Sequence, residues 1–268
     1  MKRIFAGLAL ASAATLVTAT PAQAAPADPV KALKKQYVAG KGVRVSESAV
    51  TKVTGSKAGA PITTKGVVGF GKSGVVSADL RTGGKGLGPS NALPPRAITI
   101  GEYTYAQGGL FSDRLPDDKK WVRYPSAGAP RIGNQPLDIF RPGVLKELVT
   151  SAKSFKGGSY RGAITFGRLA KLYGEKLDKT YGKVSISYVL DVNSKGLVSR
   201  LRSEYSLDFG LLGKTTSTVS TRYTGWGGKV TVKAPPADQV IDSTELDEDS
   251  GVPEEIPDGS LDSLKPVE

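Results

Sequence analysis

The chain contains no cysteine and no histidine. Without cysteine there is no disulfide, no thiolate metal site and no thiol that could carry a lipid anchor. Without histidine, Ser-His-Asp triads, Cys-His dyads and imidazole-ligated metals are excluded as well. An enzyme built on this sequence would have to work with carboxylates, lysine, tyrosine or a Ser-Lys pair. Ser151 and Lys153 stand two apart, a spacing that points helical side chains to different sides. No catalytic residue, metal ligand or cofactor site is assigned from the sequence.

Long apolar runs are also scarce. The longest, Ile4 to Val17, follows Lys2-Arg3 and precedes Ala22-Gln23-Ala24-Ala25. A basic start, a short apolar stretch and small residues at −3 and −1 form the pattern a secretory signal peptidase reads, so 1–24 is expected to be a signal peptide. The run is shorter than the roughly 20 residues a membrane span needs. The expectation is a secreted, extracytoplasmic protein associated with the cell envelope.

Acidic residues are few outside one region. Residues 237–268 hold 11 Asp and Glu against one Lys, a net charge of −10, whereas the 25–236 body carries a net +20. A field of that sign attracts anionic membrane surfaces or envelope polymers, and export argues against nucleic acid. The 237–268 segment lacks apolar periodicity and reads as an acidic disordered tail. The 25–236 body is long enough for a single domain with a continuous core.

What is abundant is alternation. Val43, Val45 and Ala49 interleave with Arg44, Ser46 and Ser48, which is a strand with one buried face. Further strands are expected over 62–70, 75–80, 97–105, 121–124, 160–166, 183–192, 197–207, 215–223 and 229–233. Asn193-Ser194-Lys195-Gly196 supplies a hairpin turn. Two helices are expected: one after Asp28-Pro29, where Asp28 can cap, and one within 136–153, where Phe140, Val144, Leu145 and Leu148 recur at helical spacing. The fold class is α+β, a curved antiparallel sheet (a half-barrel) wrapped around a few helices.

One stretch imitates a nucleotide site. Gly66 to Ser73 matches G-x-x-x-x-G-K-[ST], but Val75 to Leu80 follows as strand where a phosphate loop requires a helix. Gly71 to Gly74 is therefore expected to be a hairpin turn. Trp121 and Trp226 suit sheet packing better than a ligand platform, because no aromatic array surrounds them in sequence.

The element order, with Tyr103-Thr104-Tyr105, Lys120 to Tyr124, Gly162 to Thr165, Asp191 to Leu197 and Tyr223 to Gly227, resembles actinobacterial exported proteins of the LppX/LprG lipid-carrier lipoprotein family, and more distantly the LolA/LolB carriers. The resemblance spans about 28–242, and it departs from those lipoproteins in lacking the acylated cysteine. It implies a monomeric, non-enzymatic carrier holding a lipid or acyl-chain ligand against the inner sheet face. The residues expected to line that face are Val45, Val68, Phe70, Ile98 and Ile100 in the first half. In the second half they are Ile164, Phe166, Ile186, Tyr188, Leu190 and Leu201. The same residues would equally serve a solid core packed on the helices. A binding or sensing module that meets anionic polymers, a membrane or a signalling partner through its basic surface is the alternative.

Overall fold

In a computed structural model, residues 27–55, 59–84, 93–126, 132–208, 210, 213–247 and 250–256 are described. Alternation decides the architecture. In β1 (Lys41–Val53), Val43, Val45 and Glu47 are buried while Arg44 and Ser46 are exposed, so one face of the strand packs and the other meets solvent. The chain then adds β2 (Ile62–Phe70), β3 (Val75–Gly83), β4 (Arg96–Ile100), β5 (Tyr103–Gln107) and β6 (Trp121–Pro125), each antiparallel to the one before. A second run of neighbours comprises β7 (Ser154–Lys156), β8 (Ser159–Thr165), β9 (Ser185–Val192), β10 (Val198–Asp208) and β11 (Lys214–Lys229). Pairing of β1 with β11 joins the two meanders into one curved, unclosed sheet. With β12 (Val240–Asp242) parallel to β6 at one edge, the described sheet has 12 strands.

Short helices cover one face. α1 (Pro29–Lys34) begins as expected, with the Asp28 carboxylate accepting from the Val30 and Lys31 amides. α2 (Pro142–Thr150) occupies the middle of the expected second helix, with Pro142 in its first turn. Two helices the sequence reading missed are α3 (Phe166–Tyr173), capped by Thr165 and stopped by Gly174 at φ 77°, and the single turn α4 (Lys179–Gly182). No helix among the described residues is long and apolar enough to cross a membrane.

Other boundaries differ for local reasons. The expected strand 97–105 is a hairpin, β4 and β5, because Gly101 adopts φ 59° and turns the chain. β11 runs on to Lys229, and no separate strand follows it over 229–233. The Gly71–Gly74 turn closes β2 onto β3, the Gly71 amide donating to the Gly74 carbonyl at 2.8 Å, so the nucleotide-like motif is a hairpin. Within it Gly66 admits the neighbouring strand closely: a Cβ there would stand 1.9 Å from the Asp79 carbonyl oxygen.

The acidic segment departs most from expectation. Its described part, which begins at Ala237, is built into the fold. Ile241, Leu246 and Ile256 pack around buried Val252, together with Phe111, Ala106, Val122 and Tyr124, as a second small core on β5 and β6. Apolar residues without a period still fold when each meets a waiting pocket, and the charge of this segment stays outward or is paired. The Arg123 guanidinium donates to both carboxylate oxygens of Asp242 across the β6–β12 pair.

Candidate functional site

Strand register assigns each residue to a face. Val45 stands opposite Gly66 and Tyr223, and Leu201 opposite Thr221 and Leu190; Tyr188 lies opposite Gly162, and Ile186 opposite Ile164. These positions share the inner face and enter one buried cluster with Val68, Phe70, Leu80 and Phe166. Nine of the eleven residues named from sequence are therefore brought together. The other two are corrected by the register. Ile98 pairs with Asp79 and Tyr105, and Ile100 with Ser77 and Tyr103, which places both on the face opposite the apolar cluster, where Ile98 is buried all the same and Ile100 half-buried. The hairpin at Gly101 turns Thr99 inward instead, where its hydroxyl meets Thr104 at 2.9 Å.

The inner face is covered by a strap, residues 135–150, that belongs to no strand. It presents Leu137, Ile139, Phe140, Val144, Leu145 and Leu148, none more than 5% exposed. A strap without a hydrogen-bond ladder must be fixed at points, and three tyrosines do this. Tyr37 Oη donates to the Phe140 carbonyl. Tyr173 Oη donates to the Pro136 carbonyl at 2.6 Å and accepts from the Asp138 amide at 2.9 Å. Tyr188 Oη donates to the Leu148 carbonyl at 2.7 Å. Burial pushes the Tyr37 and Tyr188 phenols up, since a phenolate there would lose its water. A bidentate Arg168–Glu147 pair ties α3 to α2, and its hydrogen bonds hold the Glu147 carboxyl below the usual carboxylate range.

At the start of the strap the inner face turns polar. Glu47, buried on β1, accepts from the Asn134 amide at 2.6 Å and from the Thr221 hydroxyl at 3.0 Å. Gln135 accepts from Ser203 at 2.6 Å and from the Leu137 amide at 3.4 Å. Buried polar groups are costly unless satisfied, so this network fixes where the strap enters the sheet. The sequence reading missed Glu47, Gln135 and Ser203. A carboxylate at an inward position of an alternating strand was the available signal.

At the far end Tyr37, Phe70, Phe140, Tyr223 and Trp226 form a connected aromatic group, with the Phe70 and Trp226 rings stacked at 6.0 Å. Trp226 donates its indole N–H to the Val198 carbonyl at 2.8 Å. Tyr223 is fully buried, and desolvation raises its phenol well above the ordinary value. Beside this group lies a cleft of about 360 Å³, lined by Asn193, Ser194, Lys195, Leu197, Tyr223, Thr224, Gly225 and Trp226. Trp121 is buried on β6 with the Arg96 guanidinium 5.2 Å above its ring.

Fold and site together define the class: an unclosed, mainly antiparallel half-barrel of α+β type whose apolar inner face is strapped by short helices. No family model matches the chain. Nor does any curated protein match it. Among solved structures, the chain is similar to LprF from Mycobacterium bovis, at 14% identity and a TM-score of 0.30 over 78% of this chain and 93% of that one. It is also similar to a LolA superfamily protein from Nitrosomonas europaea, at 8% identity and a TM-score of 0.27 over 76% of this chain and 93% of that one.

Proposed function

We propose that the protein is an exported, non-enzymatic lipid carrier that shelters acyl chains against the inner face of its half-barrel. The observation behind this reading is the strap. A largely apolar face is covered by a segment that contributes six buried apolar side chains and is held by tyrosine hydroxyls, one ion pair and a polar network rather than by a strand ladder. Such a cover can leave without breaking the sheet, and an acyl chain can take the place of its side chains at little cost in hydrophobic burial. The closed arrangement is then the empty state of the carrier, in which the strap fills the site it guards.

Native mass spectrometry of protein purified through its own export route is expected to show a co-purifying lipid, and a fluorescent fatty-acid probe is expected to bind with displacement of the strap. Ligand-free protein that leaves the probe unbound would overturn the carrier reading.

A further inference from the structure

The outer face of the sheet carries a line of cations that the strand register alone reveals. Arg200 on β10 stands opposite Arg222 on β11, and Arg222 opposite Ser46 on β1. Ser46 stands opposite Lys65 on β2, Lys65 opposite Arg81 on β3, and Arg81 opposite Arg96 on β4. Five of six successive strands thus place Lys or Arg in one row. Adjacent strands lie about 4.8 Å apart, so the row is about 24 Å long. All six residues point away from the core, because their strand neighbours Leu201, Val45 and Leu80 face inward.

Three of the cross-strand pairs are like-charged: Arg200 with Arg222, Lys65 with Arg81, and Arg81 with Arg96. Directly opposed like charges destabilise a sheet. Only part of that repulsion is relieved internally. Arg96 is held by Asp79 through two hydrogen bonds, Arg200 donates to the Ser220 hydroxyl at 3.0 Å and stands opposite Asp191. Among the described residues, Lys65, Arg81 and Arg222 form no salt bridge, and all three are exposed. No carboxylate stands opposite any of these three.

We infer that this row is a binding track for a linear phosphodiester polymer lying across the strands on the outer face of the sheet. A row of cations on successive strands, bordered by hydroxyls, matches a linear polyanion better than a membrane, which would be met with apolar side chains at its margin. The flanking row on one side is Arg202, Ser220, Ser48 and Thr63, which adds one more cation and hydroxyls that can bond phosphate oxygens alongside the guanidinium groups. Bound phosphates would also relieve the repulsion within the row. The track is on the face opposite the strap and stands independently of the carrier reading.

The test uses the whole protein and a short synthetic poly(glycerol phosphate), with anionic phosphatidylglycerol vesicles as the competing surface. The variant is Lys65→Thr, Arg81→Thr and Arg222→Thr combined, which keeps residues suited to strands. The control, Lys171→Gln, Lys176→Gln and Lys179→Gln combined, removes the same charge at exposed sites on α3, on α4 and between them. The expected result is polymer binding that weakens steeply with salt, falls at least about tenfold in the track variant and holds within about twofold in the control. The melting temperature of the track variant should be unchanged or higher, because repulsion has been removed. Equal losses in variant and control would reduce the effect to net charge and overturn the proposal. Vesicle binding lost in the track variant without any polymer binding would overturn it in favour of a membrane surface.

Discussion

Tyr188 on β9 donates its hydroxyl to the carbonyl of Leu148 on α2 at 2.7 Å, pinning the end of the strap to the floor of the half-barrel. Leu148 is itself fully buried against that floor, so one bond and one apolar side chain restrain the same turn of helix. The coupling gives the carrier reading a kinetic handle.

Tyr188→Phe and Tyr37→Phe keep the ring and delete the hydroxyl that holds the strap, and Tyr173→Phe removes two strap bonds at once. The first two should each lower stability by about 1 kcal/mol, the net worth of one such bond, and the third by about twice that. If the strap gates the inner face, the triple variant should also take up a fluorescent acyl probe faster than wild type in stopped-flow measurements. Slower or unchanged uptake would show that the strap is not the gate.

The polar network at the start of the strap should be less tolerant. Glu47→Leu strands the Asn134 amide and the Thr221 hydroxyl in a buried setting, and a loss of about 2 to 3 kcal/mol is expected in urea unfolding. Thr221→Val should cost about 1 kcal/mol.

Sequence carried the sheet further than it carried the site. Alternation in 43–49 and 184–192 fixed inward positions correctly, because one side of each strand is plainly polar. It failed at Ile98 and Ile100, where both faces are partly apolar and a turn at Gly101, invisible to periodicity, sets the register. The strap was read as helix because Phe140 to Leu148 has the helical period. Its irregular first part is fixed by Tyr173 and, through Gln135, by Ser203, partners distant in sequence. The packing of the described part of the acidic segment was not legible because composition reports the average of a stretch, whereas Ile241 and Val252 act singly.

That segment should matter for stability. A chain ending at Gln239 loses Ile241, Leu246 and Val252 from the second core, and a destabilisation of about 3 kcal/mol is expected in thermal melts. A melting temperature equal to that of the full chain would show the segment to be dispensable.

The Arg123–Asp242 pair adds a dependence on acid. Its hydrogen bonds hold the Asp242 carboxyl below the ordinary carboxylate value, so the stabilisation is complete above the unfolded value and fades as pH falls through the folded one. Hydrogen exchange at Ile241 should therefore quicken selectively in the acid range. Asp242→Asn should show the same fast exchange already at neutral pH.

At the alkaline end the sign reverses. Tyr124 donates to the Pro253 carbonyl, and burial pushes its phenol up to about 12. A raised value means stability is intact below about 10, the ordinary tyrosine value, and is lost as pH climbs towards about 12. Base titration followed by phenolate absorbance should show Tyr124 ionising late and together with release of the second core, and Tyr124→Phe should remove that component.

The joint between β1 and β11 sets the order of assembly. Each meander is made of sequential neighbours and can zip locally, but the seam between them pairs 41–53 with 214–229. Closing so long a loop is slow, and proteins dominated by such pairings fold slowly. A chain that emerges end first cannot complete its central seam until nearly all of it has been delivered. Until then the inner faces of its two halves stay open, and the apolar side chains that later share one core have only their own half to pack against.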